Sequence, residues 1–314
     1  MNIDVNTLQG ITFDGHDVQG LVLNGVTLWT KGGSEPVEDN NYFTIEVVSG
    51  NNVSVFLKPN SSYTCTWYVW KNTIPNADRS NYTYGPFTPT SSTTTVDSSI
   101  VVSAGDKLRF YRVETTGLTN LSDTASGYTK FYTSDDSARF KIYGNAASLM
   151  GYADVCPAYA MHRLFRTTAI TDASGLLLPW TSFNSTGAQF SQMFENATSL
   201  VSGPAVLPAP LIYYRSYYRM FYNCNNLIDA PIILGTPNDG PNSNKAGLQY
   251  MFYQCLKLKY IKCLATTNVS GVGNTQSWTQ SLPSGGTFVK HPNSNWGTGT
   301  SGIPSGWTVQ TATE

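Results

Sequence analysis

The side chains best suited to recognition chemistry lie together in one short run of the 314-residue chain, between residues 213 and 222. The run is rich in tyrosine and arginine, and both residue types are frequent anchors of recognition surfaces. In helical phase, Tyr217, Met220 and Phe221 turn towards the interior and the others lie nearer the surface. The predicted binding residues are Tyr214, Tyr218, Arg219 and Tyr222. An alternative stays open, in which these aromatic side chains interlock between neighbouring units of the fold.

Catalytic and metal-binding chemistry has little support in the sequence. The histidines His16, His162 and His291 lie in separate segments, and none has another ligand at metal-binding spacing. The sequence contains no nucleophile elbow, no metalloprotease motif and no P-loop. Asp135-Asp136 could serve as a calcium site or a glycosidase acid, but an exposed acid pair in a turn is the better explanation. We therefore expect no enzyme, no cofactor and no metal.

The five cysteines are expected to be structural. Their number is odd, and no two have the Cys-x-x-Cys spacing of zinc or redox sites. Cys224 and Cys255 occupy equivalent positions of a repeated pattern. Small side chains stacked in a core explain this placement better than a redox pair does.

That repeated pattern defines the elements that must position the tyrosines and arginines. An apolar residue, two mostly polar residues and then Leu/Met-Phe occur four times, at intervals of 29, 27 and 31 residues. The four copies are Met161–Phe165, Phe190–Phe194, Tyr217–Phe221 and Leu248–Phe252. Such a period is typical of solenoid proteins, whose stacked units present a long exposed face and need no pocket.

Each copy is predicted to contain one short amphipathic helix and one short strand, as in leucine-rich repeats. Apolar residues at i, i+3 and i+4 are followed at i+7 by a small residue, which would line the inward side of a helix. The small residues are Thr168, Ala197, Cys224 and Cys255. Strand-like runs follow at Ala205, Ile232 and Tyr260.

The repeats are assigned to residues 145–314 as a leucine-rich-repeat-like domain with a C-terminal cap. The longest spacer, Pro237–Asn244, is expected to be a loop, and insertions of this kind commonly lie on a binding face. Trp296 and Trp307 are suited to covering the open end of the stack.

Residues 1–33 contain a ten-residue duplication, with Asp-Gly in one copy and Asn-Gly in the other. Both dipeptides favour the type I′ turns of β hairpins. We predict a meander of about three strands that attaches the chain to a partner or to copies of itself, with Trp29 as the anchor. A simple hairpin packed on the next domain is the alternative. Residues 34–41 have no periodicity and are predicted to be a linker.

Residues 42–144 show short alternating runs separated by turn clusters, which predicts an antiparallel β-sandwich-like domain. Trp67 and Trp70 could form a flat platform for sugars, but core packing is the better interpretation. The predicted fold class is therefore α+β and β-rich, with an N-terminal hairpin or meander, a sandwich-like domain and a leucine-rich-repeat-like solenoid.

Composition argues against several partners. Charged residues make up 12% of the chain and the formal net charge is −1, so no electrostatic argument favours nucleic acid or an acidic membrane. The N-terminus lacks the pattern of a secretory leader, and no stretch has the roughly 18 apolar residues that a membrane span needs. We expect no nucleic-acid partner, no membrane insertion and no export by the usual route.

Several motifs resemble the BspA-like leucine-rich repeat proteins, which abound in gut Bacteroidetes and in their bacteriophages. The similar segments are the Met-Phe-x-x-Cys-x-x-Leu units, the entry Gly144–Leu149, the ending Gly286–Lys290 with Gly302–Trp307, and the preceding β-domain at Tyr42–Glu46 and Ala104–Lys107. The resemblance covers residues 42–310. It implies surface display and adhesion rather than catalysis, and it offers no functional residues to transfer.

Residues 1–33 separately resemble Asn-Gly-x-x-x-Trp attachment segments of phage virion proteins. The first hypothesis is therefore a structural virion protein, a head- or tail-fibre-type appendage assembled in the host cytoplasm. Residues 42–144 would be a spacer, and the repeats would bind a host surface glycan or protein. Expected partners are capsid or tail proteins and copies of the chain itself, as a homotrimer, because fibre proteins are often trimeric.

The alternative hypothesis is a secreted or cell-surface adhesin of a gut Bacteroidetes bacterium. It requires an export signal or a lipid-anchor cysteine, and the N-terminal pattern favours the virion instead. A glycan-degrading enzyme is a third class, which would need a pair of acids in a cleft that the sequence does not nominate.

Overall fold

The computed structural model describes residues 41–59, 66–76, 78–87, 100–112, 129–238, 245–267, 269 and 273–313, and the backbone of four short strands between residues 12 and 30. This part of the chain is β-rich, and its one helix is the short 3-10 helix Ala146–Met150. The strands are β1 (Thr12–Phe13), β2 (His16–Asp17), β3 (Gly20–Leu23), β4 (Val26–Thr30), β5 (Phe43–Ser49), β6 (Val53–Pro59), β7 (Trp67–Lys71), β8 (Tyr84–Phe87), β9 (Val101–Val102), β10 (Lys107–Arg112), β11 (Thr129–Thr133), β12 (Arg139–Asn145), β13 (Ile170–Asp172), β14 (Leu176–Leu177), β15 (Val206–Leu207), β16 (Leu211–Ile212), β17 (Ile232–Ile233), β18 (Thr236–Pro237), β19 (Tyr260–Cys263), β20 (Thr287–Lys290) and β21 (Thr308–Thr311).

The N-terminal strands form two antiparallel pairs, β1 with β2 and β3 with β4. Leu23 pairs with Val26 and Phe13 with His16, so each pair has the two-residue connection that the Asp-Gly and Asn-Gly dipeptides predict. Within the described residues these are two separate two-stranded sheets rather than one meander. Trp29 pairs with Leu21, and its side chain lies outside the described part of the chain.

Two mainly antiparallel sheets follow. The larger has the strand order β13-β12-β5-β10-β7-β8, with β14 also paired to β12, and its strands are antiparallel except that β13 and β14 run parallel to β12. The smaller has the order β11-β6-β9. Alternation along β12, where Phe140 and Ile142 are buried between half-exposed or exposed neighbours, gives the sheet one apolar face. Phe43 pairs with Phe110 on that face, and Trp67 is buried there too.

Both tryptophans of the pair are buried, which confirms the prediction that they pack inside the protein. Trp70 is buried like Trp67, but it lies three residues further along the strand and therefore on the opposite face of the sheet. Its indole N–H donates a hydrogen bond to Asn81 Oδ1 at 2.9 Å. The tryptophans thus form no exposed platform.

The Leu/Met-Phe copies do not form helices, so the helix predicted for each unit is wrong. Runs of consecutive turns take their place, at residues 158–165, 189–196, 214–223 and 249–254. Every fourth residue has a positive φ, for example Arg215 at 54°, Arg219 at 52° and Asn223 at 61°. An α-helix needs negative φ throughout.

Backbone N–H groups in these runs alternate between two acceptors. The Met220 N–H donates to the Tyr217 carbonyl three residues back, at 3.2 Å, whereas the Phe221 N–H donates to the Met251 carbonyl of the next unit, at 3.0 Å. An α-helix bonds its interior N–H groups to its own carbonyls and leaves none for a neighbour. Consecutive units are therefore joined by backbone hydrogen bonds.

The predicted inward positions are confirmed for three copies. Ala197, Cys224 and Cys255 are fully buried, as are the Met-Phe pairs before them. In the first copy Thr168 is exposed, and Ala169 is buried in its place. Sulfur also bonds the units, because the Cys224 thiol donates to the Phe194 carbonyl at 3.0 Å and the Cys255 thiol to the Phe221 carbonyl at 3.1 Å.

The strand-like runs after the copies form a parallel sheet of order β15-β17-β19-β20-β21. Val206 pairs with Ile232 and Ile233 with Cys263, so residues 26 and 30 positions apart lie side by side. Part of the spacer Pro237–Asn244 falls outside the described residues. Trp296 stacks on Trp278 with ring centroids 5.0 Å apart.

An aromatic column runs through the core of both parts of the chain. Phe43 stacks on Phe165 with ring centroids 5.6 Å apart, and the column continues through Phe194, Phe221 and Phe252 at 5.5 to 5.7 Å per step. Strand β12 also pairs with β5 on one side and with β13 and β14 on the other. These contacts cross residue 144, where the sequence predicts a domain boundary.

Candidate recognition surface

The turn run at residues 214–223 sorts its side chains as the phase argument predicts. Tyr217, Met220 and Phe221 are at most 1% exposed. The predicted binding residues Tyr214, Tyr218, Arg219 and Tyr222 are half-buried. Because positive φ recurs every fourth residue, tyrosines four positions apart follow one side of the run. Together with Arg215, Tyr250 and Tyr253 they form what we term the tyrosine–arginine surface.

Tyrosines of adjacent units interlock across this surface. Tyr222 and Tyr253 stack with ring centroids 4.8 Å apart and an interplanar angle of 5°. Tyr218 meets Tyr250 edge to face at 6.1 Å. The rings therefore contact one another, as the interlocking alternative expects, and still keep part of their surface in solvent.

Two arginines lie over the rings. The Arg219 guanidinium carbon lies 4.9 Å from the centroid of Tyr222, 5.1 Å from Tyr250 and 5.2 Å from Tyr218. The Arg215 guanidinium carbon lies 5.0 Å from the Tyr218 ring. Cation–π contacts at these distances hold both cations on the aromatic surface.

A buried carboxylate fixes the position of Arg219. The Glu195 side chain is 3% exposed and forms two ion pairs. Its Oε2 lies 2.8 Å from Arg166 Nε, and its Oε1 lies 3.5 Å from Arg219 Nη1. Gln192 Nε2 donates to Glu195 at 2.7 Å, and Arg163 Nε donates to Gln192 Oε1 at 3.0 Å. A buried charge requires such partners, and here they come from three consecutive units.

The backbone of Tyr214 packs closely against Gly187 and Ala188 of the preceding unit. The Ala188 N–H donates to the Tyr214 carbonyl at 2.8 Å, and Gly187 adopts φ of +86° directly against that carbonyl. A Cβ at Gly187 would clash with the Tyr214 oxygen, so glycine is required at this point.

Charge is unevenly distributed along the chain. Residues 155–290 contain nine Lys/Arg and four Asp/Glu, a net of +5, although the whole chain has a net charge of −1. Between Asp172 and Asp229 the only acid is Glu195, which is buried and already paired. The residues that define the tyrosine–arginine surface include two arginines, Arg215 and Arg219, and no acidic residue.

The remaining chemically capable residues have structural roles. The Asp135 carboxylate accepts the Ser137 N–H and hydroxyl at 2.8 and 2.6 Å, and these hydrogen bonds lower its pKa, as expected of a turn acid. The described part of the chain contains no group of three or more His, Cys, Asp or Glu that could hold a metal ion.

The described cysteines are buried free thiols. Burial raises the pKa of Cys263 to about 12, and it raises the pKa of Cys156, Cys224 and Cys255 well above the usual value of a thiol. Such thiols stay protonated and unreactive at neutral pH. Cys65 lies outside the described residues.

Two residues of this surface, Tyr250 and Tyr253, and the buried Glu195 beneath it were missed by sequence reasoning, although a signal existed for Tyr253 and Glu195. The third and fourth copies are 31 residues apart, and adding 31 to Tyr222 gives Tyr253, its stacking partner. Glu195 is the single acid in the middle of an otherwise uncharged stretch, which indicates a specific partner. Tyr250 occupies the position of Arg219 in the next copy and has no signal of its own.

Comparison with known proteins gives no match to any protein-family model, any curated protein or any solved structure. Among the described residues, no helix has the length and apolar character to cross a bilayer.

Proposed function

We propose that this chain is a structural protein of a bacteriophage virion, a head- or tail-fibre-type appendage whose repeated units bind the host surface or its glycans. The observation that carries the proposal is the tyrosine–arginine surface. Its rings are half-exposed, and its Arg219 is held by the buried Glu195. Side chains fixed before binding lose little conformational entropy on contact, which suits them to recognition.

We also propose the finer architecture: the repeated units are coils of a leucine-rich-repeat-like solenoid, and the two antiparallel sheets form a sandwich. The support is the backbone hydrogen bonding between units and the aromatic column that four units share. A single unit could not bury its apolar side alone, whereas a stack can. The stack then displays the equivalent outward side chains along one extended surface.

Glycan binding tests the adhesion part of the proposal. The full chain is applied to a glycan array and compared with the double variant Tyr218→Ala/Tyr222→Ala. Binding of at least one glycan class should be lost in the double variant. Tyr260→Ala is the matched control, because Tyr260 is 47% exposed but lies on β19 outside the surface. The proposal is contradicted if no glycan or host-cell surface binds, or if the double variant binds as well as the parent chain.

Particle composition tests the virion part. Mass spectrometry of purified particles should detect the chain, and removal of residues 1–33 should prevent its incorporation. Light scattering of the purified chain should give the mass of a homotrimer. Absence from purified particles, or unchanged incorporation without residues 1–33, would rule out this assignment. Detection on the bacterial envelope without phage would favour the cell-surface adhesin.

A further inference from the structure

A second cluster of tyrosines lies on the outward face of the larger antiparallel sheet. Strand pairing places Tyr111 of β10 opposite Tyr68 of β7. Tyr42 meets Tyr111 edge to face at 6.4 Å, and Tyr152 lies 5.9 Å from Tyr111 on another side. Tyr82 stacks on Tyr68 at 4.7 Å. We term these residues, with Arg79, the sheet-face cluster.

The segment between β7 and β8 carries Arg79 onto this cluster. The Arg79 guanidinium carbon lies 4.2 Å from the Tyr111 ring centroid. Asn81 holds the segment, since it accepts the Trp70 indole N–H at 2.9 Å and donates to the Ile74 carbonyl at 2.8 Å. Arg79 has φ of +57°, a conformation uncommon for a residue with a side chain, and its guanidinium lies over the Tyr111 ring.

Tyr152 is also held in place by a hydrogen bond to the backbone. Its hydroxyl donates to the Asn41 carbonyl at 2.6 Å, and its φ is +59°. Its side chain nevertheless remains 36% exposed, and that of Tyr82 remains 37% exposed. Both of these tyrosines of the cluster therefore keep about a third of their surface in solvent.

The charge of Arg79 has no acidic counterpart among the described residues. Its neighbour Asp78 turns its carboxylate to the Ser80 N–H, at 3.0 Å, and no ion pair to Arg79 is formed within the described part. Arg79 Nε is buried without a hydrogen-bond acceptor there. Partial burial alone would lower the pKa of Arg79, but a hydrogen bond with Tyr42 and the nearby phenols raises it, so the group is charged.

We propose that the sheet-face cluster is a second binding site, specific for a saccharide that bears a carboxylate. Arg79 supplies the planar donors that match a carboxylate, and the exposed faces of Tyr82 and Tyr152 stack on pyranose rings. Residues 41–154 contain nine Lys/Arg and nine Asp/Glu, so no net charge opposes the approach of an anion. The site lies apart from the four Leu/Met-Phe copies, and it gives residues 42–144, together with Tyr152, a binding role beyond that of a spacer.

Residue-resolved NMR titration of the full chain tests this site. The Trp70 indole N–H, which is bonded to Asn81 beside the cluster, reports binding, and the Trp278 indole, which is bonded to Gly302, is the internal control. The probes are trigalacturonate and 3′-sialyllactose, with maltotriose as the neutral comparison. At least one acidic probe should shift the Trp70 resonance saturably, and maltotriose should bind at least about tenfold more weakly.

Variants separate this site from the tyrosine–arginine surface. Arg79→Gln should weaken the acidic probe at least about tenfold at Trp70, because a charged hydrogen-bonded contact is removed. Arg215→Gln should leave the Trp70 titration unchanged. The proposal is overturned if neither acidic probe shifts Trp70, if maltotriose binds equally well, or if Arg79→Gln retains full affinity. Tyr82→Ala is a second variant, expected to weaken binding, and thermal melts verify that each variant is folded.

Discussion

The antiparallel sheets and the stacked units bury aromatic side chains in different ways. In the sheets, Phe43 meets Phe110 because two distant strands pair in one particular register. In the stacked units, Phe194 meets Phe221 because equivalent residues of successive copies lie side by side. A sequence period therefore predicts contacts in the second region, whereas nothing local in the sequence predicts them in the first.

The largest expected effect is on the aromatic column. Phe221→Ala removes a fully buried ring that stacks on both Phe194 and Phe252, and it should lower the free energy of unfolding by about 3–5 kcal/mol. Chemical denaturation measures this loss. Leu256→Ala is the control, because Leu256 is 53% exposed and its truncation should change stability by less than about 0.5 kcal/mol. A loss below about 1 kcal/mol for Phe221→Ala would show that the column does not hold the units together.

The next effect compares two ion pairs, one from each region. Glu195→Gln leaves Arg166 and Arg219 without their buried carboxylate and should cost about 2–3 kcal/mol. Glu46→Gln breaks a more exposed pair with Lys107 in the antiparallel sheet and should cost less than about 1 kcal/mol. Equal losses in denaturation experiments would contradict the assignment of Glu195 as the link between units.

How far the sequence predicted the fold depends on which property is considered. The inward positions of the copies were correct, since residues i, i+3, i+4 and i+7 face one side whether the period is four residues or the 3.6 of an α-helix. The helix itself was wrong, because an eight-residue run cannot separate these periods. The deciding factor was tertiary: alternate N–H groups such as that of Phe221 bond to the next unit, and single copies carry no trace of that bonding.

The two regions should also differ in the pH at which they lose stability. All four described cysteines lie in the stacked units, and burial raises their pKa values above the usual 9.0. Their contribution is complete below pH 9.0 and is lost as pH rises from there towards 12, the pKa of Cys263, because the unfolded chain then releases these protons while the folded chain keeps them.

Asp106, in the antiparallel sheets, has the opposite sign. Partial burial pushes its pKa up, but hydrogen bonds from Asn72, Lys71 and Ser103 outweigh that effect and leave the pKa below 3.8. Its contribution is present above pH 3.8 and is lost as pH falls further. Denaturation followed across pH should show Cys263→Ala flattening the alkaline decline and Asp106→Asn flattening the acid one. The assignments would be wrong if Cys263→Ala changed the acid decline and Asp106→Asn the alkaline one.

The smallest expected effect tests whether a glycine substitution raises or lowers the free energy of unfolding. Gln254 has φ of +59°, so Gln254→Gly should relieve strain and change the free energy of unfolding by about 0 to +1 kcal/mol. In a helix the same substitution would destabilise by about 1 kcal/mol. Lys257→Gly, at an exposed position without positive φ, should be destabilising and serves as the control. Destabilisation by Gln254→Gly would favour a helix.

The sequence predicts one candidate site better than the other, because one lies within a repeated pattern and the other depends on strand register. Tyr218, Arg219 and Tyr222 could be placed outward from phase within one copy, and Tyr253 follows from the interval between copies. The sheet-face cluster could not be predicted, since Tyr68, Tyr111 and Arg79 come together only through strand register and a turn that folds back over the sheet.

One measurement tests the stacked arrangement directly: the scalar coupling transmitted across a hydrogen bond from the Phe221 amide, recorded by NMR on the deuterated full chain. The account predicts a correlation between the Phe221 N–H and the carbonyl of Met251 in the next unit. A correlation to the carbonyl of Tyr217, four residues back, would mean that the run is an α-helix and would contradict the account.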